Sequence, residues 1–368
     1  MLFPYTYVPH SMEKMQDYID FIFFEVWCKA PGAGPFGLHL FDGNPELKEV
    51  VTAFHYSDAQ GANFFNGHVQ RIHDLFAALP PAHISQLQHW YRGNNDLEQV
   101  CVSPQASILA RYADLDALSQ ELGQQLAVFF KGLYSPSLLG LKALKDKIGD
   151  VDAHYQAFVQ TNSTGKCPFC GLSDLLGEYH SKREAYDHYL PKALYPFNSI
   201  NFHNLVPACH HCNSSYKGSK DPAHSPKGVN GQQVRRKLFY PFASKPWNID
   251  LCVSLKPDAI EHLQPSDITL NFGPAELTEQ IETWKDVYSI EERYRAKLCG
   301  VDAKTWLMAM EDEWRWHDGS GGQDGKRPET YLRDLARHAT RSPYVDTNFL
   351  KHAFLQACVE GGWLQATR

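Results

Sequence analysis

The chain has 368 residues, of which 43% are hydrophobic and 21% charged; this is ordinary globular usage, which excludes long disorder and collagen-like repeats and leaves room for two domains or three at about 150 residues each. Its net charge of −7 argues against nucleic acid as a partner of the whole surface, yet residues 161–240 carry ten Lys/Arg against five Asp/Glu, a local excess of the kind phosphate binding requires. Nine cysteines, an odd number, argue against a disulfide scaffold and for a reducing compartment; with no apolar run near the ~18 residues of a membrane helix and no secretory leader, a cytoplasmic address without membrane contact is expected.

Residues 1–160 read as helical. Met15, Ile19, Ile22, Phe23 and Val26 recur at helical spacing between Ser11 and Ala30, and Pro31-Gly32 stops the run. Asn44-Pro45 starts a second helix, with Asn as cap and Pro at the first helical position. Further helical patterns cover 62–79, 81–93, 113–134 and 136–160, separated by breakers such as Gly93-Asn94-Asn95. Over 161–240 the periodicity fades while Gly, Pro, Asn, Cys and His rise; a turn at each CxxC, a strand near Asp187–Tyr189 and a helix beginning near 209–213 are expected. Beyond Tyr240, Asp267–Phe272 alternates like a strand. Helices are expected over 275–299, 304–317, 329–340 and 346–361, with a flexible loop at 318–327.

Four of the nine cysteines form two knuckles, Cys167-Pro-Phe-Cys170 and Cys209-His-His-Cys212, separated by 38 residues. Two such knuckles can supply the tetrahedral four-thiolate site favoured by structural Zn²⁺. Unrelated thiols, a redox CxxC, or His210 or His211 in place of a cysteine are the alternatives, and the four-cysteine site is the preferred reading. Cys28, Cys101, Cys252, Cys299 and Cys358 sit among apolar or helical neighbours and read as ordinary buried thiols.

Between and beside the knuckles lie Asp187-His188-Tyr189-Leu190-Pro191-Lys192, Asn204-Leu205-Val206-Pro207 and Cys212-Asn213-Ser214-Ser215-Tyr216-Lys217. Over residues 164–220 this order resembles the HNH endonuclease family: an acidic-His pair on a strand, a middle Asn followed by apolar residues, and a His or Asn opening a helix beside the second knuckle. The third position is Asn213 where many members carry His. The resemblance implies a small ββα-metal core within an α+β, mainly α chain. That core would occupy 161–240, between a helical N-terminal region (1–160) and an α-rich C-terminal region (241–368). It further implies that Asp187 and Asn213 hold one Mg²⁺ or Mn²⁺ and that Asn204 braces the loop orienting His188. His188, an imidazole with an ordinary pKa near 6.5, is chemically suited to activate water. Taken singly, an Asp-His pair is a common surface or capping feature and Asn213 a ready helix cap.

Lys192, Lys217, Lys220, Arg235, Arg236 and Lys237 are candidate phosphate contacts, with DNA the substrate favoured by the resemblance. Glu279–Tyr294 looks similar to the tail of HNH effectors of bacterial anti-phage systems, of which the Septu type pairs with an ATPase; a regulatory ATPase-like partner is implied. A restriction or mobile-element endonuclease and a zinc-stabilised fold that only binds nucleic acid are the competing readings. Gly165-Lys166 resembles the end of a P-loop, but Gln160 stands where its first glycine belongs and Cys167 where Ser or Thr does.

Overall fold

A computed structural model describes residues 1–226, 231–256, 262–318 and 328–363. Lys227, one of the ten basic residues counted above, and all but the first residue of the loop expected at 318–327 lie outside these. The described chain is mainly helical, with two two-stranded antiparallel sheets. None of its helices is long and apolar enough to cross a membrane. The chain divides into two compact units: Pro4–Gly165 with Leu176–Ser244, and Met1–Phe3 with Lys166–Leu175 and Lys245–Arg368. Residues 161–240 are thus shared between them.

The larger unit is built on the apolar faces of its helices. Phe23, Trp27, Phe76, Phe129, Phe130 and Phe197 lie in one continuous core, and the Trp27 indole, buried with them, donates to the Val69 carbonyl at 3.0 Å. The Trp27 body is thus buried while its polar edge keeps a partner. The expected Asn44 cap is present: its Oδ1 accepts from the Leu47 amide at 3.0 Å, with Pro45 opening the helix Pro45–His55. The expected helix over 11–30 is less uniform. A 3₁₀ turn (Ser11–Glu13) and an α-helix (Lys14–Phe21) lead into a π-helical turn (Ile22–Trp27), closed by an i→i−5 bond from the Cys28 amide to the Phe23 carbonyl.

Two long helical expectations are broken by local chemistry. The run 113–134 divides into Tyr112–Leu118 and Gln120–Leu133, because extended Ser119 turns its hydroxyl onto the Leu122 amide and caps the second helix. The run 136–160 divides into Pro136–Leu139, Lys142–Ile148 and Val151–Thr161. Gly149 takes a left-handed φ of 75°, and Asp150 Oδ1 accepts from Ala153 N at 2.7 Å to restart the chain as a helix. A short helix at Leu97–Val102 was not anticipated. After residue 176 the unit carries strand β1 (Ala185–His188), paired antiparallel with β2 (Leu205–Ala208) so that Asp187 faces Val206 and His188 faces Leu205. A π-helical turn, His211–Lys217, follows.

In the smaller unit β3 (Asp250–Leu255) pairs with β4 (Ile268–Gly273) over six positions, and helix Asn348–Glu360 packs on β3. The β3 strand escaped the sequence reading, although Leu251, Val253 and Leu255 alternate with Asp250, Cys252 and Ser254. The same alternation corrects the expectation for Cys252. It lies on the outward face and is exposed, while Cys28 and Cys299 are half-buried. The helix expected over 275–299 is a 3₁₀ turn (Ala275–Leu277) and two α-helices, Thr278–Tyr288 and Ile290–Leu298, hinged at Ser289 in the left-handed region (φ 50°); helical periodicity runs through this hinge because one residue in αL changes direction without changing composition.

Candidate functional site

Each knuckle is a tight turn with its own hydrogen bonds. In the first, the Cys170 and Gly171 amides donate to the Cys167 carbonyl, the Cys167 amide donates to the Ser173 carbonyl at 2.9 Å, and the Leu172 amide points at the Cys170 sulfur at 3.5 Å. Gly171 is left-handed (φ 66°), and a Cβ there would meet Leu2 at 2.5 Å, so glycine is required on two counts. In the second, the Cys212 amide points at the Cys209 sulfur at 3.5 Å and the Asn213 amide donates to the Cys209 carbonyl at 3.0 Å. All four cysteines are buried and their sulfurs lie within 4.8 Å of one another. Tetrahedral thiolates around Zn²⁺ at about 2.3 Å stand ~3.8 Å apart, so the four residues can hold a metal ion such as zinc. His210 and His211 are exposed.

The helices Thr278–Tyr288 and Ile290–Leu298 grip the first knuckle. The Trp284 indole donates to the Phe169 carbonyl at 2.7 Å, the Tyr294 hydroxyl to the Cys170 carbonyl at 2.9 Å, and the Phe169 ring stacks on Tyr288 with centroids 4.7 Å apart. These aromatic residues were missed as parts of the site; the Trp and Tyr within a charged helical stretch were the available signal. Replacing Tyr294 by phenylalanine is expected to cost about 1 kcal/mol of stability, the net worth of one buried hydrogen bond, read by denaturant unfolding.

In the larger unit, β1 presents Asp187 and His188 in succession. Asp187 is 2% exposed. Its Oδ1 accepts from Lys217 Nζ at 2.8 Å, while Oδ2 is buried with no hydrogen-bond partner. Burial pushes the Asp187 carboxyl above the usual carboxylate range and the Lys217 ammonium opposes that shift. The half-buried His188 ring is bonded through Nε2 to the Ser199 carbonyl at 2.9 Å, and it packs perpendicular to the Tyr134 ring with centroids 5.2 Å apart. A carbonyl can only accept, so Nε2 carries the proton and Nδ1 the lone pair in the neutral ring. Burial, with help from the Lys192 and Lys217 charges, lowers the His188 pKa to about 3, well below the ordinary imidazole value, so the ring stays neutral and is a weaker base than its sequence context implies.

Asn204, wholly buried, brackets the loop that starts after His188. Its Oδ1 accepts from the Leu190 amide at 2.7 Å, and its Nδ2 donates to the Leu190 carbonyl at 3.0 Å and the Asn198 carbonyl at 3.2 Å. The far side of that loop is held by residues read from sequence only as a breaker. Asn94 Nδ2 donates to the Pro196 carbonyl at 2.9 Å, and the Asn94 carbonyl accepts from Asn198 Nδ2 at 3.0 Å. Between these clamps Phe197 adopts φ 80°, a region costly for a bulky residue, with its ring buried against Phe23, Tyr91 and Phe130. The core therefore anchors the strained residue two positions before the carbonyl that orients His188. Phe197→Ala is expected to lose about 3–5 kcal/mol in denaturant unfolding; a loss below about 1 kcal/mol would contradict the anchoring.

Asn213, half-buried, lies inside the π-helical turn as its third residue rather than opening it, and the turn's end is marked by a Gly218 amide bonded to the Asn213 carbonyl at 2.9 Å. The basic residues divide into two groups. Lys217 is buried in the pair with Asp187 and also donates to the His188 carbonyl at 2.8 Å, and Arg235 is turned inward onto the Val100 and Ser107 carbonyls and the Ser107 hydroxyl. Arg236 donates to the Asp221 and Pro222 carbonyls, and Lys192 to the Lys131 carbonyl at 3.1 Å. Lys220 is exposed and Lys237 half-buried.

Compared with known proteins, the chain matches no family model and no solved structure. It is 39% identical over 75 residues to Protein ea31 of Escherichia phage lambda, a stretch covering 20% of this chain and 23% of that protein. The chain thus spans about a quarter of the length of the curated relative it matches.

Proposed function

We propose that this protein is an endonuclease that hydrolyses DNA phosphodiester bonds, with His188 as general base and one Mg²⁺ or Mn²⁺ held by Asp187 and Asn213. The observation that carries the reading is the geometry of the Asp187-His188 pair: an imidazole bonded through Nε2 to the Ser199 carbonyl, next in the chain to a buried carboxyl with one oxygen unpartnered. Nδ1 of His188 takes the proton of the attacking water as its oxygen bonds to phosphorus, while the opposite ester P–O bond breaks and the departing sugar oxygen is protonated from solvent. The hard oxygen donors of Asp187 and Asn213 suit a small divalent ion, and the orphaned Asp187 Oδ2 offers it a ligand atom. When bound, such an ion supplies phosphate polarisation and leaving-oxygen stabilisation. Asn204 holds the loop between His188 and Ser199 in register, and four cysteines around Zn²⁺ hold the knuckle turns. Lys192, Lys220, Arg236 and Lys237 contribute the local positive field that draws the backbone phosphates in.

Supercoiled plasmid incubated with the zinc-loaded protein and Mg²⁺ or Mn²⁺ tests this. Nicking that requires the divalent ion and is lost in His188→Ala supports it, and equal nicking by both proteins overturns it. The resemblance of Glu279–Tyr294 supports a finer proposal, a defence effector with an ATPase-like partner, which co-purification with the products of neighbouring genes tests. The partial likeness to a phage protein favours as second reading a mobile-element endonuclease; cuts mapping to one consensus would select it over scattered cuts by a defence effector.

A further inference from the structure

We propose that Lys217 is a built-in counter-cation of the Asp187 site, a positioning residue that competes with the divalent ion and keeps its affinity low. The inference rests on the nuclease reading of Asp187 and deepens it. Both side chains of the pair are almost wholly buried, 1% and 3% exposed. An unpaired carboxylate at that depth carries a heavy desolvation cost, and Lys217 relieves it through two charge-assisted bonds of 2.8 Å, to Asp187 Oδ1 and to the His188 carbonyl. Those bonds tie the ammonium to both members of the Asp187-His188 pair. They leave Oδ2 of the same carboxylate buried and unpartnered, so one oxygen is satisfied by an internal cation and the other still lacks a counter-charge.

The chain makes this arrangement rigid. Lys217 closes the seven-residue turn His211–Lys217, which also carries Asn213, and Gly218 ends it in the left-handed region (φ 50°). With its backbone held there and its side chain 1% exposed, Lys217 is kept at Asp187 by its burial and by its two hydrogen bonds. A divalent ion at Oδ2 therefore meets a fixed positive charge on the other oxygen of its ligand, and repulsion at that range is strong in a poorly screened interior. Lys217 thus acts in two opposing ways. It orients the carboxylate, which favours metal, and it supplies like charge, which disfavours metal; the burial of the pair makes the second effect dominate.

Mn²⁺ binding to the zinc-loaded full chain, followed by the electron paramagnetic resonance signal of the free ion, separates the two. Lys217→Gln keeps a donor for Asp187 and removes the charge, and is expected to bind Mn²⁺ on the order of tenfold or more tightly than the parent. Lys217→Arg keeps the charge and is expected to stay near the parent, and Asp187→Asn to lose the site. Equal or weaker Mn²⁺ binding by Lys217→Gln overturns the counter-cation role while leaving the nuclease reading standing. Absence of an Asp187-dependent Mn²⁺ site in every variant overturns the nuclease reading and this inference with it. Should Lys217→Gln not fold in metal-free buffer, Mn²⁺ is expected to restore its fold by replacing the lost cation, and failure to do so overturns the proposal.

Discussion

Replacing His188 by alanine is expected to lower metal-dependent plasmid cleavage by about 10²- to 10⁴-fold, the range that a positioned general base contributes, with little change in fold. The ring is held by the Ser199 carbonyl and by the perpendicular Tyr134 ring, so its removal deletes a preoriented base and leaves the strand pairing of β1 with β2 intact. His188→Gln is the informative companion. Its amide can still donate to the Ser199 carbonyl but offers no basic nitrogen, so it is expected to be as inactive as the alanine variant while melting closer to the parent. Initial nicking rates at saturating Mn²⁺, together with thermal unfolding of each variant, read both halves. Residual activity within tenfold of the parent in either variant would remove His188 from the chemistry.

Stripping the metal from the four-cysteine site is expected to have the larger effect on stability. Four buried sulfurs within 4.8 Å without a cation would leave thiols crowded against amides that point at sulfur, whereas a bound Zn²⁺ turns the same donors into charge-assisted bonds to thiolates. Binding of structural zinc is worth roughly 10 kcal/mol or more in isolated fingers, more than the total stability of many domains. The freshly purified protein is therefore expected to carry about one zinc per chain. Chelation is expected to produce cooperative loss of structure, reversed by added Zn²⁺ and not by Mg²⁺, and Cys170→Ser or Cys212→Ser should each reproduce it in part. Elemental analysis and circular dichroism during chelator titration provide the check; a chain that melts unchanged without zinc would show that the knuckles stand on their own hydrogen bonds.

Features carried by neighbouring residues were legible before any coordinates. The CxxC spacing, the Asn44-Pro45 helix start and the alternation of the strand at 267–272 each express a local rule. The Asp187-His188, Asn204 and Asn213 positions stand out only through their resemblance to the HNH pattern. The interruptions at Ser119, Gly149 and Ser289 were local too, but each is a single residue whose cap or left-handed backbone leaves the surrounding periodicity unchanged, so the apolar pattern read straight through them.

Tertiary structure decided what each polar residue does, because burial and long-range partners set the energy of a charged or amide group far more than its neighbours in sequence. Asn94 and Asn95 read as a helix breaker and became a clamp on the loop at 196–201. Trp284 and Tyr294, 115 and 124 residues from the carbonyls they bond, became supports of the first knuckle. Lys217 read as one more basic side chain for phosphate, and only the meeting of its turn with β1 made it the buried partner of Asp187. Residue types and spacing determined which chemistry the chain can offer; packing determined which of those groups face one another and at what cost in water.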